Sequence, residues 1–145
     1  MEDIRIYVET DDAENIYKNI RTEFFTKNYF TNNIEIFSMA VMIGKYILNK
    51  REPLQSRKSF IRYESIENSN EMDIFKCIAI EETEDVTVIN NIKEIYEICE
   101  EYANAGIKEL KKWVVNEDTF QNKLSEYLIE FNEQNKIYSS KYQNK

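Results

Sequence analysis

Histidine is absent from all 145 residues. That removes every mechanism in which imidazole serves as base, proton shuttle or metal ligand. Ser-His-Asp and Cys-His centres, histidine-bearing zinc sites and di-iron helices built on Glu-x-x-His are all excluded with it. Glycine and proline are nearly as scarce, with two and one. A β sandwich or barrel needs many more turn formers, so the chain reads as helical. No glycine-rich phosphate loop is present. The two cysteines, Cys77 and Cys99, each sit inside an apolar helical pattern, which implies buried free thiols in a reducing cytosol and no disulfide framework. The amino terminus carries Glu2 and Asp3 and no apolar core segment, so no secretory signal is expected there. The densest apolar stretch, 36–48, is broken by Ser38, Gly44 and Lys45 and is too short to span a bilayer. These absences predict a cytoplasmic protein without a membrane segment, cofactor or metal, and not an enzyme.

What is present is organised around Asp85 to Val115. Ile89, Ile92, Tyr96, Cys99, Ala103, Gly106, Leu110 and Trp113 recur at alternating steps of three and four, a heptad seam. Val88, Ile95, Ile98, Tyr102, Ile107 and Val114 widen the apolar face, while Glu94, Glu97, Glu100, Glu101, Asn104 and the lysines 108, 111 and 112 fall on the other side. The pattern predicts one long amphipathic helix with acids at its start and lysines at its end, as the helix dipole favours. Gly106 costs such a helix roughly 1 kcal/mol relative to alanine. It either divides the helix or, with Ala103 and Ala105, forms a smooth patch where another backbone comes close; its place on the apolar face favours the patch.

The remaining elements follow in order. Residues 3–9 and 60–66 alternate as short strands that can pair as a two-stranded ribbon. Helices are predicted over 12–25, over 33–49 with Asn32 or Asn33 as cap, over 69–80, and from a cap at Asp118 or Thr119 through a face of Phe120, Leu124, Tyr127, Leu128 and Phe131. The 33–49 helix is apolar around nearly its whole circumference, so it belongs at the centre and is the natural partner of the Ala103–Gly106 patch. Pro53 makes 50–59 a loop. The expectation is a mainly α single domain over 1–145: a bundle of about five helices with a short ribbon, fraying after 135. A wide apolar face is consumed either by this core or by a second copy.

The net charge of −8 is unevenly spread. Lys45, Lys50, Arg51, Arg57, Lys58 and Arg62 meet only Glu52, whereas twelve acids between Glu64 and Glu101 meet only Lys76 and Lys93. The basic stretch suggests phosphate contacts, with Tyr46, Phe60 and Tyr63 as stacking groups. The stronger reading is a solvated loop balancing the acids, because an acidic protein repels nucleic acid unless its basic face is well segregated. Glu94, Glu97, Glu100 and Glu101 offer a metal or acid–base cluster by spacing, against the stronger reading of a solvated acidic face open to a partner. Cys77 beside Lys76 reads as packing, since neighbours on a helix diverge and no imidazole activates it.

Three stretches carry a family resemblance: Ile36-Phe37-Ser38-Met39-Ala40-Val41-Met42-Ile43-Gly44-Lys45, Arg51-Glu52-Pro53-Leu54, and Glu101-Tyr102-Ala103-Asn104-Ala105-Gly106-Ile107-Lys108-Glu109-Leu110. In order and spacing, from about Phe24 to Val115, the chain resembles the small Dnd-system-associated proteins encoded beside DNA phosphorothioation and restriction genes in prokaryotes. The resemblance implies an accessory role in defence against foreign DNA, with another protein of that system as partner, and it transfers no catalytic residue. Two other readings stay open: a nucleic-acid-binding module using 45–62, and an acidic inhibitor or antitoxin-like protein that covers a basic partner surface.

Overall fold

Ile6 and Val8 alternate with Arg5 and Tyr7, and the computed structural model shows the strand this predicts, β1 (Arg5–Val8), paired antiparallel with β2 (Lys58–Arg62). The structure describes residues 4–23 and 25–143, without the side chains of Phe25, Lys27, Glu130, Phe131, Asn132 and 134–143. Asp3, the expected strand start, therefore lies outside the described residues. Ile6 pairs with Ile61 and Tyr7 with Ser59, so a bulge takes up Phe60, whose ring meets Tyr17 at 4.5 Å. The second strand sits two residues earlier than its pattern suggests and stops at Arg62. Tyr63–Ile66 forms a helical turn instead, which brings Ile66 into the core, fully buried, five residues beyond Ile61.

Among the described residues, five longer helical segments accompany the ribbon. Helix α1 covers 10–22, with a π-helical stretch at Ala13–Tyr17 that buries Ile16 and Tyr17. Helix α2 covers 33–48, α-helical over Asn33–Met42 and π-helical over Ile43–Leu48. Asn32 caps it as expected, accepting the Glu35 amide at 3.0 Å. Helix α3 (Asn70–Thr83) turns Met72, Phe75, Ile78 and Ala79 inward and ends at Glu84 in the left-handed region. That face leaves Cys77 exposed, contrary to the expected buried thiol, because 77 falls on the opposite side of the helix from 72, 75 and 79. Cys99 is buried as expected.

The organising stretch is broken near its start. Asp85 accepts the Thr87 amide at 2.9 Å and Asn91 accepts the Glu94 amide at 3.2 Å. Two side-chain caps so close together each begin a helix of their own: a 3-10 turn at Val86–Asn90, then α4 (Ile92–Trp113). Ile89, assigned to the seam, is left 42% exposed. Helix α4 runs unbroken through Gly106, and the patch reading is the one the structure shows. A Cβ added to Gly106 would overlap the Ala40 carbonyl and stand 2.8 Å from the Gly44 nitrogen; one added to Gly44 would overlap the Tyr102 carbonyl. The two glycines thus mark a crossing where α2 and α4 touch backbone to backbone.

The described chain divides into two compact units, 1–112 and 113–145. The second consists mostly of α5 (Glu117–Gln143). Its cap is Asn116, which accepts the Thr119 amide at 2.8 Å, and not Asp118 or Thr119, which the structure places inside the first turn. Of the stripe predicted there, Leu128 is exposed. Phe131, and Tyr138 and Tyr142 of the expected fraying tail, lie outside the described side chains. Among the described residues, no helix is long and apolar enough to cross a membrane.

Candidate functional site

The basic stretch does not stand free: four of its six cations bond to this chain's own carboxylates. Lys45, leaving the α2 π-helical segment, lies 3.5 Å from Glu82 and 3.8 Å from Glu81. Arg51 bonds Glu82 at 3.0 Å and Glu101 at 3.2 Å. Lys50 pairs with Glu52 at 2.9 Å, and Arg57 approaches Glu100 at 3.8 Å. Lys58 and Arg62 are exposed on β2. The proposed stacking groups are scattered: Tyr46 is exposed at the end of α2, while Phe60 packs on Tyr17.

Hydrogen bonds from both sides hold the loop that carries these cations. Asn104 on α4 donates to the Glu52 carbonyl at 3.0 Å and the Pro53 carbonyl at 3.3 Å, and the Glu52 amide donates to the Glu101 carbonyl at 3.1 Å. On the other side Glu9 accepts the amides of Gln55 and, at 3.1 Å, Ser56. The backbone of Glu52, Pro53, Gln55 and Ser56 is thereby held between α4 and Glu9.

Glu82 is the node of this network. It accepts the Tyr102 hydroxyl as well as Arg51 and Lys45, and the Tyr102 bond first, then Arg51, holds its pKa below the ordinary 4.5. Glu52 is held low in the same sense by Lys108 at 2.8 Å, then by Lys50. Glu82→Gln is expected to lower stability at pH 7 by about 1–2 kcal/mol, since it removes charge from a node that three donors share. A depressed carboxylate stabilises above its unfolded pKa and loses that contribution as pH falls through the folded value. Urea melts of both proteins should therefore differ at pH 7 and converge in acid; a gap that persists unchanged at pH 3 would contradict the assignment.

The acidic candidates split. Glu94 and Glu97 face solvent as expected, but Glu100 is buried and Glu101 half-buried. Asn104, assigned to the outer face, is buried too. The cause is not in α4 itself: β1 and the 53–57 loop cover that side. Glu100 Oε2 accepts the Tyr7 amide at 2.7 Å across 93 residues. Burial pushes its pKa from 4.5 up to about 7, only partly opposed by the Tyr7 amide and Arg57. Arg57 in turn lies 4.4 Å over the Tyr7 ring.

Around Glu100 opens a cleft of about 780 Å³, walled by Ile4, Arg5 and Tyr7 from β1, Pro53, Leu54 and Arg57 from the loop, and Lys93, Tyr96, Glu97, Glu100 and Glu101 from α4. This lies in the volume range of small-ligand sites, and carboxyls displaced by burial occur at functional sites as well as in structural networks. Sequence reasoning missed Tyr7 and Tyr96 as members of a site, since each looks like an ordinary strand or core aromatic. It also missed Glu82, which in sequence is one acid among twelve. No group of three or more metal-ligating side chains suited to an ion occurs among the described residues.

A family model described as DNA sulphur modification system-associated protein 4 matches residues 5–144. No curated protein and no solved structure matches the chain.

Proposed function

The chain belongs to the family of DNA sulphur modification system-associated protein 4, and from that membership we propose that it is a non-enzymatic accessory protein of such a system, acting in the cytoplasm through contact with another of its proteins. The Dnd-system resemblance seen in the sequence and the matched family agree. The observation that carries the protein-contact reading is the internal neutralisation of the basic stretch. With Lys45, Lys50, Arg51 and Arg57 paired with Glu81, Glu82, Glu101, Glu52 and Glu100, the charge of four of the six cations is offset within the chain, which weakens counterion release at a phosphate backbone. Glu81, Glu84, Asp85, Glu94 and Glu97 are exposed, and the apolar Val86 and Ile89 among them in sequence are exposed as well. Exposed acidic and apolar side chains along this stretch suit a basic protein surface.

Co-expression with the proteins of the sulphur modification system, followed by size-exclusion chromatography, tests the proposal. A stable complex with one of them is the expected result. Recovery of the chain alone against every one of them, together with binding of short duplex DNA at low salt that Arg51, Arg57 and Lys58 to Glu abolishes, would replace it with the nucleic-acid reading.

A further inference from the structure

The cleft on α4 holds a carboxyl that its own chain satisfies by half. The Glu100 side chain is 6% exposed, and one oxygen accepts the Tyr7 amide. The other oxygen lies 3.8 Å from the Arg57 Nη2, outside hydrogen-bond reach. Arg57 is loosely held in return, 64% exposed and resting on the face of Tyr7. Two further residues line the cleft. Tyr96, which lines the cleft, is buried with no hydrogen-bond partner for its hydroxyl. Glu97, one turn before Glu100 on the same helix, is exposed.

We propose that this cleft is a receptor for a guanidinium group, an arginine side chain of a protein partner, which enters the place Arg57 now holds over Tyr7 and makes with Glu100 and Glu97 the hydrogen bonds that Arg57 does not. The inference rests on the accessory reading for the source of that arginine. Arg57 itself shows that the Tyr7 face accepts a guanidinium, since a planar cation over an aromatic ring at 4.4 Å is a favourable contact. A guanidinium presents its donors in a flat fork, so one group can reach two carboxylates a helical turn apart while still stacking on a ring. Pro53 and Leu54 give an apolar wall for the methylene stem. Arg5 and Lys93 also line the cleft, and Arg5 donates to Ser59 Oγ at 3.1 Å across the ribbon. Glu101 is engaged by Arg51, so Glu97 and Glu100 are the carboxylates left for an incoming cation.

The test is titration of the full chain with N-acetyl-arginine methylamide, followed by amide chemical shifts, with the citrulline analogue as a neutral probe of the same shape. Saturating shifts at Tyr7, Glu97 and Glu100 are expected, with the citrulline probe about tenfold weaker or worse, as loss of a charge-assisted pair implies. Arg57→Ala vacates the position and should tighten arginine binding by roughly threefold or more. Glu97→Gln, at an exposed position that the fold does not depend on, should weaken it severalfold, and Glu100→Gln should weaken it further. Equal binding of the citrulline probe, no change in either glutamine variant, or preference for inorganic phosphate would overturn the inference. If a system partner binds the Glu97→Gln, Glu100→Gln double variant undiminished, the cleft inference fails and the accessory reading stands. If no system partner binds at all while the arginine probe behaves as described, the accessory reading fails and the guanidinium site remains.

Discussion

Gly106→Ala is expected to lower stability by about 2–4 kcal/mol. Helix propensity alone predicts the opposite sign, since alanine in a helix interior is favoured over glycine by roughly 1 kcal/mol. The crossing decides against it. The new methyl would overlap the Ala40 carbonyl oxygen and press on Gly44, and both are backbone atoms that cannot rotate away. Helices α2 and α4 would have to separate, loosening the buried Phe37, Ala40, Val41, Ala103 and Ile107 around the crossing. Gly44→Ala should behave alike, because its methyl meets the Tyr102 carbonyl. The two together should cost less than their sum, since one separation relieves both clashes. Lys111→Ala, exposed near the end of the same helix, should change stability by less than about 0.5 kcal/mol and serves as the control. Chemical denaturation measures all four; an alanine at 106 that left the midpoint unchanged or raised it would refute the backbone contact.

Glu100→Gln is expected to stabilise the protein above neutral pH. Burial raises this carboxyl from 4.5 to about 7, so between those values the folded chain keeps a proton that the unfolded chain has released. Stability therefore falls as pH rises through that window and levels off above it. The groups around the carboxyl push in both directions: Arg57 and the Tyr7 amide favour its charge, Glu97 and Glu101 oppose it, and Glu9 and Asp12 line the small void on its far side. A neutral glutamine keeps an oxygen for the Tyr7 amide and carries no charge to desolvate. The gain at pH 8 should be roughly 2–3 kcal/mol, shrinking to a few tenths at pH 4.5. Melting both proteins from pH 4.5 to 8.5 checks this. Parallel curves would mean that Glu100 is solvated in the folded state.

The backbone crossing was visible in the sequence because its signal is local: Ala103, Ala105 and Gly106 lie within four residues on an apolar face, facing a helix apolar on nearly all sides. The ribbon was visible for the same reason, through the alternation of Ile6 and Val8. The burial of Glu100 was not. By heptad position it belongs with Glu97 and Glu101 on the outer side, and what covers it comes from β1 and the 53–57 loop, some fifty to ninety residues away in sequence. The division of the basic stretch was equally hidden. Its charge count favoured balance by the acids that follow, but no periodicity reveals that Glu82 takes both Lys45 and Arg51. Cys77 shows the smaller error of placing a residue by its apolar neighbours instead of by its angle on the helix.

The Asn104 bonds to the Glu52 and Pro53 carbonyls, like that of Tyr7 to Glu100, join segments made far apart in time during synthesis. A nascent chain would present Tyr7 and Arg57 without Glu100, and Arg51 without Glu101, until α4 had been made, whereas Glu52 and Glu82 are in place earlier.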